Sequence, residues 1–291
     1  MTGATETKSS YWRALLILGR VSNLPTVWSN CLAGWWLGGG GPWTSLLQLM
    51  AGASALYTGG MYLNDAFDAD FDRLHRKSRP IPSGVISVRQ VWVFGISWLV
   101  IGLALLCPQG AKPALLSLLL VGAILLYDAI HKMVAFSPVL MAICRFLLIL
   151  LAASFGQLEI GGLAIWTGLV LAGYIIGLSY IARRESSQGV IQFWPLIPIA
   201  APFVLAFIVN VGPYRDTARI LALVLGLWIL KSLKPLWMSS HRNLGQVVSH
   251  LLAGICLVDL LAVADVPKGI GLIFLGFFGL ALLLQRFVPA T

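Results

Sequence analysis

Asn64, Asp65, Asp68 and Asp72 stand at steps of one, three and four inside the stretch Asn64–Gly84, NDAFDADFDRLHRKSRPIPSG. Four of the chain's eleven acidic residues fall between Asp65 and Asp72, and five of its twenty Lys/Arg follow by Arg89. On a continuing helix Asp65, Asp68 and Asp72 share one face, with neighbouring Cβ atoms about 5–6 Å apart. Carboxylates held that close repel unless a divalent cation or a cationic group lies between them. Mg2+ takes oxygen ligands, uses one or two carboxylates and leaves other positions to water and substrate phosphates. Arg and Lys beside such acids neutralise phosphate oxygens. The chemistry read from this block is a diphosphate held through magnesium. A cluster of charges in a loop is by default a solvated face. Three features weigh against that here: the single helical face, the amide of Asn64 extending it, and the basic run Arg79-Pro80-Ile81-Pro82 directly behind.

The elements that must position these side chains are membrane helices. The 291 residues are 58% apolar and only 11% charged, with a mean hydropathy of +0.87. Soluble domains carry about 25% charge. Ten apolar runs are predicted as spans: Trp12–Leu37, Leu46–Leu63, Val91–Leu106, Ala114–Tyr127, Pro138–Phe155, Leu163–Ala182, Phe193–Val211, Ile220–Leu233, Val247–Ala264 and Ile270–Leu284. Gly/Pro turns such as Gly38–Pro42 and Gly212-Pro213 separate them. The fold expected is all-α, one domain over 1–291 with a polar tail over 1–10. Met1–Ser10 lacks the ordered regions of a signal peptide.

With the N-terminus inside, fourteen Lys/Arg fall on the cytoplasmic side and four outside, while Arg20 and Arg145 lie within spans. That bias follows the positive-inside rule. It predicts cytoplasmic termini and puts the acidic block and the loops after spans four and six on one face. The net charge of +9 is spread over short loops, which points to topology and an anionic leaflet or ligand rather than to nucleic acid. Cys31, Cys107, Cys144 and Cys256 stand singly, without metal or redox spacing.

NDAFDADFD fits the N-D-x-x-D-x-x-x-D signature of the UbiA superfamily of intramembrane prenyltransferases, and Arg79–Gly84 resembles that family's R-P-L/I-P-S-G continuation. Arg20 and Asn23 resemble its polar first-helix residues. Tyr127–Lys132 resembles its element at the end of the fourth span. The resemblance implies a bundle of nine to ten helices around a cavity open near the cytoplasmic face, in a bacterial inner membrane. It implies prenyl transfer from an isoprenyl diphosphate to a small or lipid-like acceptor. Asn64, Asp65, Asp68 and Asp72 are the implied metal ligands. Arg20, Asn23, Arg76, Arg79, Tyr127, Lys132, Tyr180 and Arg183 are the implied diphosphate ligands, with Asp68, Asp72, Lys132 and Asp128 catalytic.

The sequence departs from the family after the sixth span. The family's second acidic motif, D-x-x-x-D, is matched by Gly177–Ser186, which keeps Tyr180 but offers one acid, Glu185, as a further metal ligand, beside Arg183 and Arg184. This pattern resembles an EboC-like subgroup encoded in a bacterial secondary-metabolism operon. A non-catalytic carrier of lipid diphosphates is the alternative that this thinner motif keeps open.

Arg20 and Arg145, inside apolar spans, must face the bundle interior or a wet cavity, because an intramembrane charge costs at least about 2.5–3.5 kcal/mol. Either binds a phosphate or carboxylate there or is paired internally. Asp128 is a candidate general base. Asp259 reads as a polar helix contact before a proton relay.

Overall fold

The computed structural model describes residues 3–183, 194–206, 212–238 and 244–290, and every regular element in them is helical. In order these are α1 (Gly3–Leu18), α2 (Leu24–Leu37), α3 (Trp43–Phe67), α4 (Ala69–His75), α5 (Val88–Leu106), α6 (Ala111–Ile130), α7 (Ser137–Ala153), α8 (Gly162–Arg183), α9 (Leu196–Ile199), α10 (Arg215–Met238), α11 (Leu244–Ala262) and α12 (Lys268–Leu284).

Two predicted spans are corrected. Trp12–Leu37 is not one helix. It breaks at Arg20, whose backbone is left-handed (φ 41°), and passes through a 3-10 turn, Val21–Asn23, before Pro25 opens α2. Proline suits a first helical turn, where its missing N–H costs nothing. Within Phe193–Val211 the described residues, 194–206, are not one continuous helix either. Among its described residues α9 is four residues long, because Pro195, Pro198 and Pro202 remove donors and crowd the preceding turn. Among the described residues, α6, α8, α11 and the segment Val88–Gln109 are long and apolar enough to cross a membrane, and α7 and α12 are shorter apolar helices. The described residues do not confirm the expected count of nine to ten on that measure.

Packing holds α3 where the site needs it. α3 lies along α5 with glycines at the crossing. A Cβ on Gly59 would stand 2.9 Å from the Gly95 carbonyl oxygen, and one on Gly102 would stand 2.5 Å from the Leu56 side chain. Small residues let helix backbones approach where lipid gives no hydrophobic drive. A capping box between Ser87 and Gln90 fixes the start of α5. One buried cluster joins α8, α10 and α11, and a second joins α2, α3, α5 and α7. Outward faces carry exposed Val93, Ile96, Val100, Leu118, Leu223, Leu227 and Leu272, a surface suited to lipid rather than water. The cavity lies between the two clusters.

Candidate active site

α3 runs to Phe67. Asp68 then caps it and hands over to α4, with Asp68 N–H donating to Asn64 O (3.0 Å) and Asp72 N–H to Asp68 O (2.9 Å). The helical path is therefore nearly continuous, and Asn64, Asp65, Asp68 and Asp72 are all buried. Asn64, Asp68 and Asp72 line a cavity of about 710 Å3, together with Arg20, Asn23, Arg76, Tyr127, Asp128, Lys132 and Arg183. Much of its remaining wall is apolar, from Val27, Leu56, Ile124, Leu148, Leu178 and Leu252, with Tyr57, His131, Ser137, Arg145 and Ser179 among the rest.

Asp65 does not line that cavity. Its carboxylate accepts from Arg79 (3.1 Å) and pairs with Arg20 (3.5 Å). Arg79 is turned the same way, donating also to Asp72 Oδ2 at 2.9 Å. The Pro80–Gly84 turn makes this possible. Ser83 N–H closes on Arg79 O (3.0 Å), and Ile81 packs in a small cluster with Tyr62 and Ile86. Arg79 is thus a strut beneath two carboxylates.

Asp68 pairs with Lys132 at 2.7 Å and lies 3.5 Å from His131. Burial alone pushes the Asp68 carboxyl up, but hydrogen bonds and charge from His131 and Lys132 outweigh it and hold it below the usual carboxylate range. The Lys132 ammonium also lies 3.8 Å from the centre of the Phe71 ring. Across the cavity Asn64 Nδ2 donates to Asp128 Oδ1 (3.0 Å), and Arg20 donates to Asn64 Oδ1 (3.3 Å).

Arg76 lines the cavity and has no ion-pair or hydrogen-bond partner through its side chain among the described residues. Arg183 lies at the mouth, donating to Val134 O and Ala135 O (both 2.9 Å). Tyr180 points elsewhere. Its hydroxyl donates to Ala135 O (3.3 Å) and its ring meets Trp194, off the cavity wall. Asn23 is on the wall, yet its Nδ2 already donates to Ala290 O (2.9 Å), which leaves Oδ1 buried and without a partner. Glu185 and Arg184 lie outside the described residues.

The donor set suits Mg2+. Asn64, Asp68 and Asp72 offer oxygens at one wall, and Asp72 Oδ1 and Asp128 Oδ2 are buried oxygens with no hydrogen-bond partner. Buried carboxylate oxygens left unpaired are costly unless something binds them. Among the described residues no three His, Cys, Asp or Glu side chains converge on one point, and Lys132 and Arg79 stand against the carboxylates.

The model of the UbiA prenyltransferase family matches residues 22–267 of this sequence. The chain belongs to that family. Among curated relatives, the digeranylgeranylglyceryl phosphate synthase of Sulfolobus acidocaldarius is 30% identical over 141 residues, 47% of this chain and 48% of that protein. The 2-acylphloroglucinol 4-prenyltransferase of Humulus lupulus is 38% identical over 65 residues, 22% of this chain and 15% of that one. The chain thus spans about half the length, or less, of these relatives. A UbiA homologue from Aeropyrum pernix in its apo state has the same fold, with a TM-score of 0.66 at 16% identity, covering 86% of this chain and 98% of that one. A UbiA homologue from Archaeoglobus fulgidus bound to DMAPP and Mg2+ superposes with a TM-score of 0.53 at 17% identity, covering 94% and 99%.

Sequence reasoning missed Tyr57, Phe71 and Ser137, apolar-span or loop residues that carry no pattern of their own, and Ala290, which reaches the wall from the far end of the chain. His131, one residue before Lys132 at the end of α6, lies within the stretch the sequence singled out but was given no role there.

Proposed function

We propose that this UbiA-family protein is a Mg2+-dependent integral-membrane prenyltransferase that moves a prenyl group from an isoprenyl diphosphate to an acceptor. The observation that carries this is one cavity with carboxylates and cations at its mouth and an apolar wall behind. The homologue from Archaeoglobus fulgidus, bound to DMAPP and Mg2+, supports the donor class.

Asn64, Asp68 and Asp72 would hold Mg2+, with Asp72 Oδ1 the oxygen already free to do so. Bound Mg2+ supplies Lewis-acid neutralisation of the diphosphate. Arg76 and Lys132 take phosphate oxygens, and Arg183 and Arg20 add positive charge at the mouth and inner wall. Arg79 and Asp65 act behind them, keeping α4 and the Asp72 carboxylate in place. The C1–O bond of the allylic diphosphate breaks with its electrons leaving on the diphosphate, where these cations stabilise the charge that builds. The prenyl tail lies along Leu56, Ile124, Leu148 and Leu178, which exclude water from the allylic carbon. The acceptor nucleophile bonds to C1, and its proton passes to Asp128 Oδ2, which has no hydrogen-bond partner. The fourteen-to-four charge bias supports a single domain with cytoplasmic termini in a bacterial inner membrane, its mouth opening to the cytoplasm.

The test is pyrophosphate release by purified protein given Mg2+, isoprenyl diphosphates of several lengths and an acceptor panel. Asp68→Ala is expected to cut release about 100-fold or more, the scale of losing a charge-stabilising group. Turnover at the parent rate in that variant refutes the assignment, and tight binding without release by the parent protein makes it a carrier instead.

A further inference from the structure

The segment that follows α12 returns to the cavity instead of trailing from the bundle. α12 stops at Leu284, and Val288 N–H closes a turn on Leu284 O (2.9 Å). The residues then alternate. Val288 and Ala290 are 5% and 3% exposed, whereas Phe287 and Pro289 are turned out. An extended strip shows successive side chains to opposite sides, so one edge of this one faces in. Three hydrogen bonds tie it down from both flanks. Gln285 Nε2 donates to Ser249 O of α11 (3.0 Å), Ser22 Oγ to Pro289 O (3.4 Å) and Asn23 Nδ2 to Ala290 O (2.9 Å). Ser22 and Asn23 are buried in the 3-10 turn Val21–Asn23. The strap therefore bridges that turn and α11, and Ala290 lines the cavity together with Asn23, Val248 and Leu252. Arg20, which opens the same turn, donates to Asn64 (3.3 Å), so the strap is seated close to the acidic block. Irregular segments normally run over the surface, and their carbonyls are left to water. Here two successive carbonyls and two apolar side chains are taken up by the wall of the site.

We propose that Gln285–Ala290 is a water seal that sets transfer against hydrolysis at this site. This rests on the prenyltransferase reading, in which an allylic carbon ionises inside the cavity. Such a carbon takes any nucleophile that reaches it, and keeping water out prevents that side reaction. With the strap displaced, a water oxygen bonds to C1 as the C1–O bond breaks with its electron pair on the diphosphate. One proton of that water passes to solvent, and the products are a prenyl alcohol and pyrophosphate. The diphosphate and its cations fill the mouth during this step, which leaves the flank to the strap. Val288 and Ala290 do the excluding, and the tie from Gln285 to α11 sets where they lie.

The test uses the full chain in lipid nanodiscs with Mg2+ and geranyl diphosphate, without an acceptor, and reads geraniol and pyrophosphate. Val288→Asn puts an amide where two methyl groups are buried, so the strap leaves its seat without adding charge near the diphosphate. It should raise acceptor-free release about tenfold or more, a barrier change of about 1.4 kcal/mol. Gln285→Ala should raise release by less. A strap that only stabilised the fold would lower the melting temperature without raising release. Unchanged or slower release in Val288→Asn overturns the proposal. Should Val288→Asn not fold, Gln285→Ala decides by the same criterion. A second measurement needs no turnover. Cys144 lines the same cavity, and its alkylation by iodoacetamide, with Mg2+ and pyrophosphate in place, is followed by mass spectrometry of its peptide. Both strap variants should be alkylated faster than the parent. If the parent and both variants release no pyrophosphate from geranyl diphosphate, the prenyltransferase reading fails. Alkylation at the parent rate then overturns the seal as well, whereas faster alkylation upholds it as the closure of the cavity.

Discussion

Arg76 and Arg79 stand three residues apart in sequence and have different surroundings. The basic run behind the acidic block suited phosphate, and the family resemblance implied both as diphosphate ligands. The structure separates them through the Pro80–Gly84 turn, which points Arg79 back to Asp65 and Asp72 and leaves Arg76 on the cavity wall. Removing Arg79 strands the buried Asp72 carboxylate and leaves Asp65 only its longer contact with Arg20, and breaking a buried pair in this way costs about 3–5 kcal/mol. Arg79→Ala should therefore fail to fold or melt far below the parent in a detergent thermal-shift assay. Arg76→Ala should change stability by no more than about 0.5 kcal/mol, yet raise the KM for the isoprenyl diphosphate about tenfold or more. Equal melting temperatures for the two variants would mean that Arg79 is no strut. The type of every residue in the acidic block was legible in the sequence. The side each one faces was not, because that depends on a turn whose fold-back rests on Ile81 packing against Tyr62 and Ile86.

At the scale of elements, hydropathy marked most helices but not their breaks. Arg20 sits in a left-handed turn that no apolar count would reveal, and this kink places its guanidinium beside Asn64 and Asp65. The prolines of 195–202 were visible, but an apolar run masked them. The contact that positions the site was partly legible too: Gly52, Gly59, Gly95 and Gly102 are common in membrane helices, but only their meeting across α3 and α5 shows what they do. Gly59→Leu must push a side chain against the Gly95 carbonyl and Leu99. Overpacking of this kind costs about 1–3 kcal/mol. Because Asn64 is five residues further along α3, the same change should also weaken diphosphate binding. A double variant, Gly59→Leu with Leu99→Ala, should regain part of both losses, since it vacates the space that Leu99 fills. A lowered melting temperature with unaltered diphosphate affinity would show that the crossing stabilises α3 without positioning the site.

Across the whole molecule, the cavity is assembled from distant parts of the chain, and this could not be read from any local pattern. Asn23 is held by Ala290, 267 residues away, and Asp259 of α11 supports Arg145 of α7 through Asn30 of α2. What was legible is the asymmetry between the two ends. α6 and α7 are antiparallel neighbours. Their inner ends deliver Asp128, Lys132 and Ser137 to the cavity mouth, and their outer ends carry Lys112 and the Glu159 loop, which pair with each other. A helix of twenty residues spans about 30 Å, so these ends belong on opposite faces of a bilayer. From the charge bias we propose that the mouth faces the cytoplasm. In a background without native cysteines, a cysteine at Ser78 should resist a membrane-impermeant thiol reagent in intact cells and react in inside-out vesicles. A cysteine at Leu158, which is 80% exposed, should do the reverse. Labelling of both from the same side would mean that the two ends do not lie across a membrane from one another. Reversed labelling would keep the fold but turn the mouth, and the supply of diphosphate donor, to the opposite compartment.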